Sequence, residues 1–303
     1  MKYSKGILAA LTVTGVIALA TSRTTARPAT TTATPRSTTG TSHEPAEGYY
    51  DARRGAAGYA PVVGTFGALA VPAVVVVFTN LPAAQRHSEA AAFATGLLVV
   101  TMIGSIIGAI SLAAIGGESV LTPNLTPAVM FAAVPVVIAL VDVVAAFEIL
   151  ASLALPPARL LLQLITGISG ALGVFFTALA LGDSWATHPA QQAPGYAEWK
   201  SAEWITSQKD ADRAALYVAG LGVVPALGGT VLRATGVHLT ADVTAANTVI
   251  LSGLALTVVA TVASALRSRH PEGASSRGTR PWEAYATTLA TSSYTVILLL
   301  FLP

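Results

Sequence analysis

The sequence predicts an all-α fold, a polytopic membrane bundle of about seven transmembrane helices preceded by a short N-terminal apolar segment. Two observations carry that expectation. Of 303 residues, 53% are hydrophobic and only 11% charged, with a mean hydropathy of +0.65, whereas a soluble domain carries about 25% charged residues. A soluble protein of this length would need a charged shell, and this chain has none to spare. Apolar runs of about 20 residues also recur, the length at which a helix crosses about 30 Å of hydrocarbon.

Residues 1–20, "MKYSKGILAALTVTGVIALA", place Lys2 and Lys5 before an apolar stretch that ends in Ala18-Leu19-Ala20. That is the spacing of small residues a signal peptidase accepts, and the alternative is a short uncleaved helix. Residues 21–55 form a Thr/Pro-rich arm whose "TSRTTARPATTTATPRSTTGTSHEPAEG" has no large apolar residue. Such a stretch cannot offset its own ordering entropy, so it is predicted disordered. Residues 56–303 make the membrane domain, with helices expected at 56–79, 91–116, 127–155, 159–182, 214–236, 245–266 and 285–302. The long loop 183–213 holds Trp185, Trp199 and Trp204, and its "GYAEWKSAEWITSQKDADR" end suits an interfacial amphipathic turn of helix.

Orientation is contested within the sequence. Seven helices put Arg23, Arg27, Arg36, Arg53, Arg54, Lys200, Lys209, Arg213, Arg267, Arg269, Arg277 and Arg280 on one side, twelve in all, against Arg86 and Arg159 on the other. The positive-inside rule places the twelve-charge side in the cytoplasm, whereas a cleaved leader would place it outside. The loop bias is the stronger signal, and it sends the C-terminus outward. Arginine outnumbers lysine 13 to 4 in a chain rich in Ala, Val, Gly and Thr, which fits a high-GC bacterial genome and a cell-membrane location.

Several helices carry breaks. Pro72, Pro135 and Pro225 each remove a backbone donor inside an apolar segment, and neighbouring helices must satisfy the freed carbonyls. Pro225 sits in "AGLGVVPALGG", the best candidate for a discontinuous helix of the kind at which transporters bind ions, although a bent continuous helix is the favoured reading. The Val-Pro pairs at Pro72 and Pro135, followed by Gly117-Glu118-Ser119 and Gly182-Asp183-Ser184, echo at an offset of about 65 residues. That is a possible duplicated hairpin of the kind transporter folds use.

Small residues mark packing faces. Gly104 and Gly108 have the G-x-x-x-G spacing that lets two backbones approach, and Gly167, Gly170 and Gly173 recur on the fourth segment. Packing within the chain is their expected use; a seam to a second copy or a membrane-complex partner is the alternative. The last segment is polar for a membrane helix, with Thr287, Thr288, Thr291, Ser292, Ser293, Tyr294 and Thr295. Hydroxyls can bond back to their own helix carbonyls, and such a face should meet protein or water. Thr257, Thr261 and Ser264 should do the same.

The residues that raise a chemical question are Asp142 and Glu148, in "VDVVAAFEIL". They lie about 9 Å apart along a helix and about 120° apart around it, so they do not share a face. An ionised carboxylate at mid-bilayer costs at least about 2.5–3.5 kcal/mol, so it must be paired, protonated or hydrated. Asp142 is the candidate proton or cation site, with an anchor to Ser or Thr hydroxyls as the plainer alternative. Glu148 matches Arg233 in depth, because their two segments run the same way; Arg159 is a second candidate partner, and a tilt or shift of this long helix that puts Glu148 at the interface is the plainer alternative.

Enzyme signatures are missing. There is no cysteine, hence no disulfide, thiolate metal site or lipid-attachment residue. His43, His87, His188, His238 and His270 fall in loops or at helix ends, so no intramembrane metal-ligand pair at i, i+4 arises. No cofactor, metal or nucleic-acid partner is expected, and the chain is not expected to be an enzyme. The expected partner is the lipid bilayer. The expected function is a small permease-like or ion-coupled membrane protein, with a non-catalytic envelope or secretion-complex subunit as the alternative.

Overall fold

The computed structural model describes residues 52–118, 125–154, 161, 163–171, 173, 202–237, 239, 243–268 and 281–302. These form α1 (Ala52–Asn80), the short α2 (Ala83–Arg86), α3 (Glu89–Gly116), α4 (Leu125–Ala154), α5 (Ala202–Ala234), α6 (Val243–Ser268) and α7 (Pro281–Phe301). Between α4 and α5, residues 161, 163–171 and 173 are helical too, the described part of the segment expected at 159–182. There is no strand among the described residues, and six of their helices are long and apolar enough to cross a membrane.

Polarity runs inside out. Asp142, Thr257, Thr288 and Thr291 are fully buried, while Ile110, Leu216 and Leu251 are 63–70% exposed. In water that arrangement would leave large apolar faces unsolvated and the buried hydroxyls without compensation. In lipid it is the stable one, because the surroundings are as apolar as the exposed Leu, Ile and Val. The chain is a multi-pass membrane protein.

Close contacts set the helix directions. Gly64 lies against Ala109 and Gly67 against Ser105, so α1 and α3 are antiparallel. Gly104 lies against Ala139 and Gly108 against Val136, which makes α3 antiparallel to α4. The Ser264 hydroxyl donates to the Ala128 carbonyl at 2.8 Å, and Thr257 and Pro135 meet around Gly104, so α6 is antiparallel to α4. Ser292 donates to the Gly222 carbonyl at 2.9 Å and Gly229 abuts Val296, so α5 and α7 run together. Thus α1, α4, α5 and α7 point one way, and α3 and α6 the other. At the centre stands α4: 78% of its apolar window is buried, against 28–61% for the other spans.

The ends are chemically legible. Ser88 caps α3 by accepting from the Ala91 amide at 3.2 Å, and Glu89 follows in the first turn, where the helix dipole favours it. Gly236, at φ 88°, stops α5: its amide bonds to the Arg233 carbonyl and that of Val237 to the Leu232 carbonyl, a Schellman cap. A residue with a Cβ resists that left-handed conformation.

Several boundaries depart from the sequence reading. Helix α1 starts at Ala52, so residues 52–55 belong to it and not to the arm. Helix α5 starts at Ala202 and not near 214, so the amphipathic "AEWITSQKDADR" is the first part of one 33-residue helix and no separate turn. Helix α7 begins at Pro281, which suits a first helical position, with Glu283 in the first turn. In each case hydropathy marks where lipid ends, while a helix runs on as long as its backbone bonds do. Pro61, Pro72, Pro135 and Pro225 all lie inside continuous helices, so α5 passes through "VVPALGG" unbroken. The expectations for residues 1–51, for Gly182-Asp183-Ser184 and for Trp185 and Trp199 fall outside the described residues.

Candidate functional site

Mid-way along α4, Asp142 points into the bundle with no exposure. Its neighbours along that face of α4 are apolar, so the helix itself supplies nothing to solvate a carboxyl. The partner comes from α7: the Tyr294 hydroxyl donates to Asp142 Oδ1 at 2.7 Å. Asp142 Oδ2 is buried and takes no hydrogen bond among the described residues. Anchoring by Ser or Thr was the expected alternative; the described donor is instead the Tyr294 phenol.

Tyr294 reaches that position through a glycine. A Cβ on Gly253 of α6 would lie 2.6 Å from the Tyr294 hydroxyl and 3.0 Å from its Cζ. Side-chain atoms essentially never approach so closely, so α6 leaves out a side chain where the phenol passes. Sequence reasoning noted Tyr294 only as one polar residue among many and missed Gly253. A glycine on the same α6 face as Thr257 was the available signal.

Glu148 leaves the other side of α4, as its angular offset from Asp142 requires, and meets α5. The Arg233 Nη1 donates to Glu148 Oε2 at 2.9 Å and Nη2 to Oε1, a two-pronged ion pair. Both side chains are at least 96% buried. Arg233 is in the last turn of α5, three residues before Gly236, where a cation also complements the dipole. Arg159 lies outside the described residues. At the opposite end, the sequence reading missed a second pair, Arg267 of α6 with the buried Glu283 of α7.

The hydroxyl-rich faces turn inward. Thr287, Thr291 and Thr295 bond back to carbonyls of α7, and Thr261 to the Thr257 carbonyl of α6. Thr101, on α3, donates across to the Ala139 carbonyl at 3.2 Å, one turn below Asp142. The expected packing glycines are used within the chain. Gly104 faces Pro135 and Ala139, Gly108 faces Val136 and Val63, and Gly167, Gly170 and Gly173 face Thr230, Thr295 and Leu140 respectively.

A cavity of about 560 Å³ opens where α4 and α7 end and α3 and α6 begin. His87, Ser88, Glu89 and Asn247 form its polar rim, and Phe93, Ile149, Ile250 and Phe301 its apolar floor. Among the described residues, no group of three or more His, Cys, Asp or Glu gathers to hold a metal ion.

Chemically the arrangement offers one carboxyl with a single donor, a self-neutralised ion pair and a cavity on the same side as that pair. A hard cation asks for about six or more oxygen ligands, which the described residues around Asp142 do not provide. A proton asks for none beyond the carboxyl itself. Comparison with known proteins adds no constraint: no family model, no curated protein and no solved structure matches the chain.

Proposed function

We propose that the protein is a small ion-coupled permease of the cell membrane, without bond-making chemistry, in which Asp142 carries the coupling proton. One observation carries this reading. Asp142 is fully buried at the centre of the most enclosed described helix, yet among the described residues only one of its oxygens is held. A carboxyl kept purely as an anchor gains by having both oxygens satisfied, since an unsatisfied buried acceptor costs about 1–3 kcal/mol. Intramembrane carboxyls are rare, and proton relays are among the functions they mark. Glu148 does not compete for the role, because Arg233 already neutralises it.

A second reading is a non-catalytic subunit of an envelope or secretion complex. The closed surround of Asp142 and its bond from Tyr294 favour it, as an anchor would look the same from that side. The seam at Gly104 and Gly108 does not favour it, because α4 and α1 occupy that face.

The test is reconstitution into vesicles carrying a pH-sensitive dye. Wild type should move protons down an imposed gradient, and Asp142→Asn should lose that flux while remaining folded, since an amide still accepts from Tyr294. Normal flux in the amide variant, or none in wild type under either direction of gradient, overturns the permease reading in favour of the subunit.

A further inference from the structure

We infer that the cavity at the α3–α6–α7 end is the proton entrance to Asp142, and that Ile250, with Ile149, is the apolar plug that closes it. The inference rests on the proton-carrying reading of Asp142 and adds the route and the gate. It comes from the way one helix carries three parts in succession. Asn247, Ile250 and Gly253 follow at intervals of three residues along α6, about 4.5 Å each. Asn247 is on the cavity rim, Ile250 is on its floor, and Gly253 is the residue against which the Tyr294 hydroxyl rests.

The facing helix repeats the order. Ile149 lines the cavity floor and follows Asp142 by seven residues, two turns and nearly the same face of α4. Along α4 the floor therefore lies about 10 Å from the carboxyl, with the apolar, buried Ala145 and Ala146 between them. Ile250 is seated by design of its neighbour: a Cβ on Gly96 of α3 would collide with its Cδ1. That empty position gives the isoleucine a single place to stand. An apolar constriction of this kind blocks ions by excluding water, and wets when one of its members becomes polar or moves aside.

Among the described residues, charged and titratable groups facing the route are few: His87 and Glu89 at the rim, then Asp142 and Tyr294 behind the plug. The ion pair of Glu148 and Arg233 leaves α4 on another side and is not on the route.

The proposal is tested with the full chain in vesicles, reading passive proton leak with an enclosed pH dye. Ile250→Asn should raise the leak about tenfold, equivalent to about 1.4 kcal/mol of barrier, and adding Asp142→Asn should return it to the wild-type level. An unchanged leak in the folded single variant, or a leak that survives in the double variant, overturns the route. If Ile250→Asn does not fold, Asn247→Trp decides: a bulky ring at the exposed rim should slow the coupled flux about fivefold, and an unchanged flux overturns the entrance. The two ideas fail separately. Loss of flux in Asp142→Asn with no effect at Ile250 or Asn247 leaves the permease and removes this entrance. An Asp142-dependent leak in Ile250→Asn from a wild type without flux keeps the route and removes the permease.

Discussion

Arg233 grips Glu148 with both terminal nitrogens, across 85 residues of sequence and inside the bundle. The pair ties the end of α5 to α4, two helices with little other polar contact among the described residues. Removing one member of a buried pair leaves the other charge uncompensated, at about 3–5 kcal/mol. Glu148→Gln and Arg233→Gln should each lower the unfolding midpoint in detergent by that order. The double variant should recover part of the loss, because two neutral amides can bond to each other. Additive losses in a double-mutant cycle would show that the two side chains do not depend on one another.

Tyr294→Phe removes the donor to Asp142 and keeps the ring. Its expected cost is about 1–3 kcal/mol, the penalty for a buried group left unsatisfied. Measured by thermal unfolding in lipid nanodiscs, a cost near zero would mean that Asp142 finds another partner, and would remove the tyrosine from the site.

Gly253→Ala should cost about 1–3 kcal/mol by overpacking against the phenol. The nearest atom to the new methyl is the Tyr294 hydroxyl at 2.6 Å. The same change should therefore be milder in the Tyr294→Phe background, where that oxygen is gone. Equal costs in both backgrounds would place the strain elsewhere.

Glycines at which an added Cβ would meet nothing within 4 Å among the described residues offer the control. Gly220 and Gly228 of α5 are such positions. Alanine there should be neutral or stabilise by about 0.5–1 kcal/mol through lower backbone entropy in the unfolded chain. Gly104→Leu, against the Pro135 carbonyl at 3.1 Å from an ideal Cβ, should disrupt the α3–α4 contact outright. A destabilising Gly228→Ala, seen as a lower midpoint at high protein concentration only, would instead reveal a contact between copies.

Topology has its own test. The bias of twelve basic residues against two predicts that a reporter fused after Pro303 is active outside the cell. Cytoplasmic activity there, with a mature N-terminus at Thr21, would restore the cleaved-leader topology.

The sequence by itself determined the class, the approximate spans and the height of each charge. Composition excludes a soluble shell, apolar runs mark the lipid-spanning stretches, and rise per residue sets the depths of Asp142, Glu148 and Arg233. Depth and helix direction were enough to make Arg233 a candidate partner for Glu148, beside Arg159, and an offset of about 120° was enough to send Asp142 elsewhere. Only the tertiary structure decided which neighbour stands beside each face. In lipid a helix can be apolar all round, so periodicity does not reveal its inward side as it would in water. Lateral order then depends on where small residues let backbones and long side chains come close. That is why Tyr294, 152 residues from Asp142, was invisible as its partner until Gly253 was seen to leave room for it. Helix α5 begins at Ala202, well before its apolar stretch, because hydropathy reports the membrane boundary whereas a helix runs as far as its backbone bonds do.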